Sequence, residues 1–445
     1  MKFNPRNYLI WHPCTQMKDH EEYPLIKIVK GEGVYLYDDK GNRYIDAISS
    51  WWVNILGHSN ERLNEALKRQ VDRLEHVIFA NFVHEPALKL TDKLLRIAPK
   101  GLSKVFFADN GSSAIEVAMK MSFGYFKNKG KIKNKFVYLD CGYHGETLGA
   151  LSVCGEELYS QMYKEIMIEN IKVKGPDCFR CPFGKTRENC NVECFSFMEE
   201  ALVRNKDTIS AVLIEPIVNC AGGFKIYPPI YLKKLRDLTQ ELDIHLIADE
   251  IAVGFGRTGK MFACEHAGIT PDFMCLSKGL TGGYMPLSVV LTNDEIYDTF
   301  YGDYVSLKAF LHSHSYTGNP LGCALASEVL DIFEEDDLLN KNRSKQDRLK
   351  NRVIEKFSNY KYCGEVRSIG FITAVELVKD KITKEPFNWK ERLGFKIYRN
   401  ALKKGALLRN LGDVIYFMPP YVITKKQIDE LVNIAFDSVV EVLGE

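Results

Sequence analysis

No apolar run in the 445 residues approaches the length of a membrane-spanning helix. A charge excess is missing too. Fifty-nine Lys and Arg stand against 58 Asp and Glu, a net +1. That balance argues against nucleic acid or an anionic membrane as partner, since both call for a broad basic field. The opening Met1-Lys-Phe-Asn-Pro5 lacks the apolar core of a signal peptide, so none is expected. No internal repeat and no low-complexity linker is visible. Cysteine is not scarce, but the twelve are dispersed, and Cys275 and Cys323 sit inside apolar runs. Such use suits a reducing compartment, where cysteine acts as a small buried hydrophobe, and points to the cytoplasm.

What is present is a globular composition, 46% apolar and 26% charged, on a chain too long for one compact core. Residues 34–48 predict a hairpin turning at Asp39-Lys-Gly-Asn42. Helical periodicity covers 60–75, 86–97 and 113–127. Buried strands are expected at Val105-Phe-Phe-Ala108, Phe136-Val-Tyr-Leu139, Ala211-Val-Leu-Ile214, Leu246-Ile-Ala248 and Phe273-Met-Cys-Leu276. The alternation predicts an α/β fold with a mostly parallel sheet and helices on both faces. Past residue 324 come charged helices, a short sheet around Gly370-Phe-Ile-Thr-Ala-Val-Glu376, and a last helix from near Thr424. The expected organisation is a large domain over 59–324, with residues 1–58 and 325–445 forming a smaller α+β domain. Residues 176–196, rich in Cys, Pro and Gly, read as an excursion from the large domain.

The chemistry is expected at strand ends, because ligands of open α/β sheets collect at the carboxyl edge. His245-Leu-Ile-Ala-Asp249-Glu250 ends in a carboxylate, and Phe273-Met-Cys-Leu276 runs into Ser277-Lys278-Gly279. Pyridoxal phosphate uses both groups, a lysine for its aldehyde and an acid for its ring nitrogen. A surface acid and a surface lysine are the plain alternative. The strand at 105–108 leads into Asp109-Asn-Gly-Ser-Ser113 and a helix, where Ser113-Ala-Ile-Glu116 fits a capping box. Free N–H groups at such a helix start suit a phosphate. Tyr143, in Tyr143-His144-Gly145 at another strand end, can lie against a planar ring. Glu215 is either a substrate or cofactor contact or a loop acid.

Gly254-Phe-Gly-Arg-Thr-Gly259 matches G-x-G-x-x-G, but Pro271-Asp272 follows too soon for a dinucleotide fold. It is expected to be a mobile loop beside the site. Cys178, Cys181, Cys190 and Cys194 could hold zinc or an iron–sulfur cluster, yet the spacing is irregular and no histidine assists. No bound metal is expected there. Arg409 lies between apolar residues, as a carboxylate clamp would or as an arginine reaching out from a strand edge.

Together these motifs resemble the class III aminotransferases, from about residue 10 to the C-terminus. The specific parts are Asn110-Gly-Ser112, Tyr143-His-Gly145, the Asp249-to-Gly259 run, Ser277-Lys-Gly279 and Tyr316-Thr-Gly-Asn-Pro320. Within the class the chain is similar to the 7,8-diaminononanoate synthases of biotin synthesis. That likeness rests on Trp11-His-Pro-Cys-Thr-Gln-Met17, Ser49-Ser-Trp-Trp52, His312-Ser-His-Ser315 and Ile415-Tyr-Phe-Met-Pro-Pro-Tyr421. The resemblance implies the type I fold of pyridoxal-phosphate enzymes. It makes Lys278 the cofactor-binding lysine and proton shuttle, and Asp249 the partner of the ring nitrogen. It assigns the phosphate to Gly111 and Ser112, with His314 and Ser315 reaching it from the other subunit of a homodimer. It gives the substrate pocket to Cys14, Trp51, Tyr143, Ser313 and Arg409, with Arg409 on the far carboxylate of the oxo acid. A long mono-acid suits an aromatic slot closed by an arginine.

Two departures from the family pattern matter, and the one at Cys14 leaves the donor open. Cys14 stands where many members carry Tyr or Phe, and Glu146 where some have Asp. Some relatives take lysine in place of adenosylmethionine. Two other functions compete: another class III enzyme acting on an ω-amine, and a metal-stapled scaffold built on the four cysteines. The first fits Trp51 and Arg409 poorly, and the second leaves Asp249 and Lys278 without a purpose.

Overall fold

A computed structural model describes residues 5–187 and 189–445. The N-terminal stretch, except Pro5, and Glu188 of the excursion lie outside the described residues. Among the described residues no helix is long and apolar enough to cross a membrane.

Seven strands form the central sheet, in the spatial order 104–108, 288–292, 273–276, 245–249, 209–214, 135–139 and 171–173. The strands between 135 and 276 run parallel to one another. Ser288–Thr292 runs antiparallel to both its neighbours. It and Ile171–Val173 were not expected from the sequence.

Period-two alternation sends side chains to two cores. Leu246, Ala248, Met274 and Leu276 join one, with Leu232 and Leu235 of helix Pro229–Glu241. Ile247, Phe273, Cys275 and Val290 join the other, under helix Gly111–Asn128. Burial on both faces explains why these strands are uniformly apolar.

The expected hairpin forms from Tyr35–Asp38 and Arg43–Asp46. Ala406 and Leu407 add to it in parallel, next to Ile45 and Asp46. The C-terminal part also contributes an antiparallel sheet of 363–369, 372–377, 414–417 and 410–411. Through these pairings Arg409 is delivered from the C-terminal part and Trp51 from the N-terminal part to the carboxyl edge of the large sheet.

Two local expectations are corrected. The capping box at Ser113 and Glu116 does not form. Asn110 is the cap, its side chain accepting from Ser113 N at 3.0 Å, and Glu116 accepts from Gly149 N and Ala150 N. The Gly254–Gly259 motif is not a mobile loop, for residues 251–258 are buried. Its Arg257, 1% exposed, donates to the carbonyls of Trp52, Met418 and Pro419. Ordering costs that would leave a glycine-rich loop mobile are offset here by three charge-assisted bonds.

Candidate active site

A cavity of about 590 Å³ opens at the carboxyl ends of the central strands. Lys278, Asp249, Gly111, Ser112, Tyr143, Cys14, Trp51, Glu215 and Arg409 all line it. Ser313, His314 and Ser315 are not among its lining residues. His314 instead places Nδ1 at 3.0 Å from Asp109 Oδ2 on the rim.

Strand register brings the central pair together. Asp249 ends its strand directly beside Cys275 of the neighbouring strand, and Lys278 follows Cys275 three residues later. Asp249 is 4% exposed. Its Oδ2 lies 2.8 Å from His144 Nδ1 and its Oδ1 accepts from Ile251 N at 3.1 Å. A buried carboxylate fixed this way keeps one orientation into the cavity. His144 was missed as a functional side chain, although its motif was noted. Its Nε2 is buried without a partner among the described residues.

Lys278 has φ +46° and stands with Nζ 4.5 Å from the ring centre of Trp52. Burial lowers its pKa, against the opposing pull of Asp249, Cys220 and Glu215. A depressed lysine pKa raises the fraction of nucleophilic amine near neutrality. Glu215 is held by the N–H groups of Tyr143 and Cys220. Burial, then the charge of Asp249, pushes its pKa well above the usual carboxylate range.

Helix Gly111–Asn128 points its N-terminus into the cavity. A helix leaves its first N–H groups without intrahelical partners, and those of Gly111 and Ser112 face the site. The fit around them is tight. A Cβ on Gly111 would meet Ile251 at 3.0 Å, and one on Gly145, at φ +123°, would come 2.4 Å from Ser112 Oγ. Ser112 Oγ is 2.7 Å from Thr147 Oγ1.

The far end is aromatic and bears both charges. The guanidinium of Arg409 lies 4.1 Å from the ring centre of Trp51. No carboxylate pairs with it among the described residues. Tyr143 donates its hydroxyl to Glu146 Oε1 at 2.8 Å, and Cys14 Sγ lies 3.9 Å from the same oxygen. Burial first, and then the neighbouring Glu146, raise the pKa of both Tyr143 and Cys14, so each stays a neutral donor.

The cysteines of the excursion stay outside this site. All four are unpaired, Cys178 and Cys194 pushed up to about 11 by burial. Among the described residues no group of three or more His, Cys, Asp or Glu is arranged to hold a metal ion. Arg180 of the excursion pairs with Glu376 of the C-terminal sheet, and Lys225 with Asp177 at 3.1 Å, so the excursion is docked by charge.

Known proteins are similar to this chain over nearly its whole length. The model of the aminotransferase class-III family matches residues 16–439. The adenosylmethionine-8-amino-7-oxononanoate aminotransferase of Geobacter sulfurreducens is 46% identical, covering 95% of this chain and 94% of its own. The Helicobacter pylori protein of the same name is 42% identical over 98% and 96%. The crystal structure of the Methanocaldococcus jannaschii aminotransferase of that name superposes with a TM-score of 0.92 at 36% identity, covering 98% of this chain and 97% of that one. An omega transaminase from Pseudomonas jessenii in complex with PMP superposes with a TM-score of 0.93 at 32% identity, covering 98% and 97%. With a family match over nearly its whole length, and the lysine, the acid and the helix terminus meeting in one cavity, the chain belongs to the class-III aminotransferases.

Proposed function

We propose that this enzyme transfers the amino group of S-adenosylmethionine to 8-amino-7-oxononanoate, giving 7,8-diaminononanoate for biotin synthesis. The relatives' names support the substrate pair. The observation that carries the reading is the cavity itself. A lysine and a buried carboxylate lie at one end, and an arginine without a carboxylate partner, stacked on tryptophan, lies at the other.

Class-III aminotransferases depend on pyridoxal phosphate. The residues present fit that group. The N–H groups of Gly111 and Ser112 would hold its phosphate, and the missing Cβ atoms of Gly111 and Gly145 let Ile251 and Ser112 pack closely beside that helix start. Tyr143 would wall its ring. Bound there, the cofactor supplies an electron sink for the charge left when the donor's α-proton departs. Lys278 Nζ would hold its aldehyde and, when free, would carry the substrate proton, and Asp249, fixed by His144, would keep its ring nitrogen protonated.

Arg409 would clamp the carboxylate of the oxo acid, whose aliphatic chain runs along Trp51. Glu146 accepts from Tyr143 and Cys14 and has no cationic partner among the described residues, which suits a positively charged substrate. Lysine, also cationic, is therefore the alternative donor. The active unit is a homodimer in which His314 and Ser315 serve the partner's phosphate. Tyr304, Leu307 and Leu311, at 93%, 83% and 89% exposure, support an apolar face that a second copy would cover. The twelve unpaired cysteines suit the cytoplasm.

The test follows the two half-reactions in turn. Cofactor-loaded enzyme mixed with S-adenosylmethionine should convert to its aminated form, and then return on addition of 8-amino-7-oxononanoate. Conversion by lysine and not by S-adenosylmethionine would replace the donor. No return with the oxo acid would refute the acceptor.

A further inference from the structure

One short turn sets both indoles of the cavity, and its backbone is unusual. Ser49, Ser50, Trp51 and Trp52 have φ of +51°, +47°, +75° and +73°. Ser50 and Trp51 have ψ of 55° and 42°, which is left-handed helical geometry. L residues visit that region singly, because Cβ crowds the following carbonyl, and a run of four needs outside support.

The support converges on Asp46, at the end of the preceding strand and 0% exposed. Its Oδ1 accepts from Ile48 N at 3.3 Å and from Ser50 N at 2.9 Å. Its Oδ2 accepts from Ser50 Oγ at 2.7 Å and lies 3.0 Å from His58 Nε2. Asn54 Nδ2, 2.9 Å from His58 Nδ1, continues the network. Trp52 Nε1 donates to Tyr416 OH at 3.1 Å, which locks the second indole. The turn thereby presents one indole to each of two basic side chains of the pocket. Trp51 lies under Arg409 at 4.1 Å and Trp52 under Lys278 at 4.5 Å.

We propose that Asp46 is a positioning residue for substrate selection: by holding the left-handed turn Ser49–Trp52 it fixes both indoles against Arg409 and Lys278. It touches neither substrate nor reacting atoms. Without its carboxylate the backbone relaxes toward right-handed or extended geometry, and the slot for the acceptor's chain is lost. The inference rests on the acceptor reading proposed above. Wild-type turnover of 8-amino-7-oxononanoate tests that reading separately, before any variant is made.

The experiment compares wild type, Asp46→Ala and the double variant Asp46→Ala/Ser50→Gly. Glycine adopts positive φ without the Cβ penalty, so it restores the turn without restoring the carboxylate. Asp46→Ala should raise KM for 8-amino-7-oxononanoate by about 10- to 100-fold, the scale of a misplacement of about 1 Å. The added Ser50→Gly should recover much of that rise. Hydrogen exchange of the 49–54 amides, measured on protein without cofactor or substrate, should speed up in Asp46→Ala and slow again in the double variant. A merely structural role would lower the folded fraction, leave KM unchanged and worsen with glycine, since glycine loosens an ordinary segment. Unchanged KM in Asp46→Ala, or a double variant no better than the single one, would overturn the proposal.

Discussion

Removal of the Arg409 guanidinium is the sharpest perturbation of the selectivity argument. The group is half-buried, 4.1 Å from the Trp51 ring centre, and pairs with no carboxylate of the described chain. On the proposed reading, the carboxylate of a bound acceptor would be its anionic partner. Truncating one member of a buried charge pair costs about 2–5 kcal/mol, and partial exposure of Trp51 at 39% puts this pair at the low end. About 2–3 kcal/mol corresponds to a loss of roughly 30- to 160-fold in kcat/KM for the oxo acid. Arg409→Met is the variant of choice, because it keeps an aliphatic stem over Trp51. The assay is a cycle of two enzymes and two acceptors, the second acceptor lacking the carboxylate. Wild type should lose about as much on losing the carboxylate as on losing the guanidinium, and the variant should be indifferent to the carboxylate. The donor half-reaction should suffer much less, if S-adenosylmethionine binds mainly through sulfonium and adenine. Equal losses in both half-reactions, or a variant that still discriminates between the two acceptors, would refute the clamp.

Asp249→Asn should fold normally and lose turnover by orders of magnitude, because a neutral amide does not hold a proton on the ring nitrogen. Near-normal rates in folded protein would assign that proton to another group. His245, 8% exposed and bonded to Ser122 Oγ at 2.9 Å, has its pKa driven down to about 4 by burial. The unfolded chain binds that proton near pH 6.5 and the native one only near 4, so stability falls as pH drops between them. The loss should reach about 3 kcal/mol by pH 4 relative to His245→Gln, read from denaturant midpoints. Parallel pH profiles for the two proteins would contradict the assignment.

Much of the fold was legible because burial on both faces makes the parallel strands continuously apolar. Asp249 and Lys278 were legible because each terminates such a run. Ser288–Thr292 was missed although Val289-Val290-Leu291 is an apolar run like the others, and its antiparallel direction is set by pairing with strands far away in sequence. Spacing alone favoured Ser113 over Asn110 as a helix cap. The choice fell to Asn110 because Glu116 found better partners in the 149–150 backbone. Asp46 and Arg257 were invisible as site-builders, for their partners are backbone atoms and side chains set by tertiary contact. The left-handed turn gave one weak signal. Two serines before two tryptophans favour neither helix nor strand, but nothing in that composition says which way the chain bends.

The central claim is that Lys278 carries the reaction, and one variant tests it most directly. Lys278→Ala, purified with pyridoxal phosphate, would be examined for a borohydride-fixed protein–cofactor bond and for turnover, with circular dichroism to establish folding. No fixed bond and no turnover in folded protein is the expected result, since no other amine lines the cavity among the described residues. Folded variant that still forms many equivalents of product would contradict it.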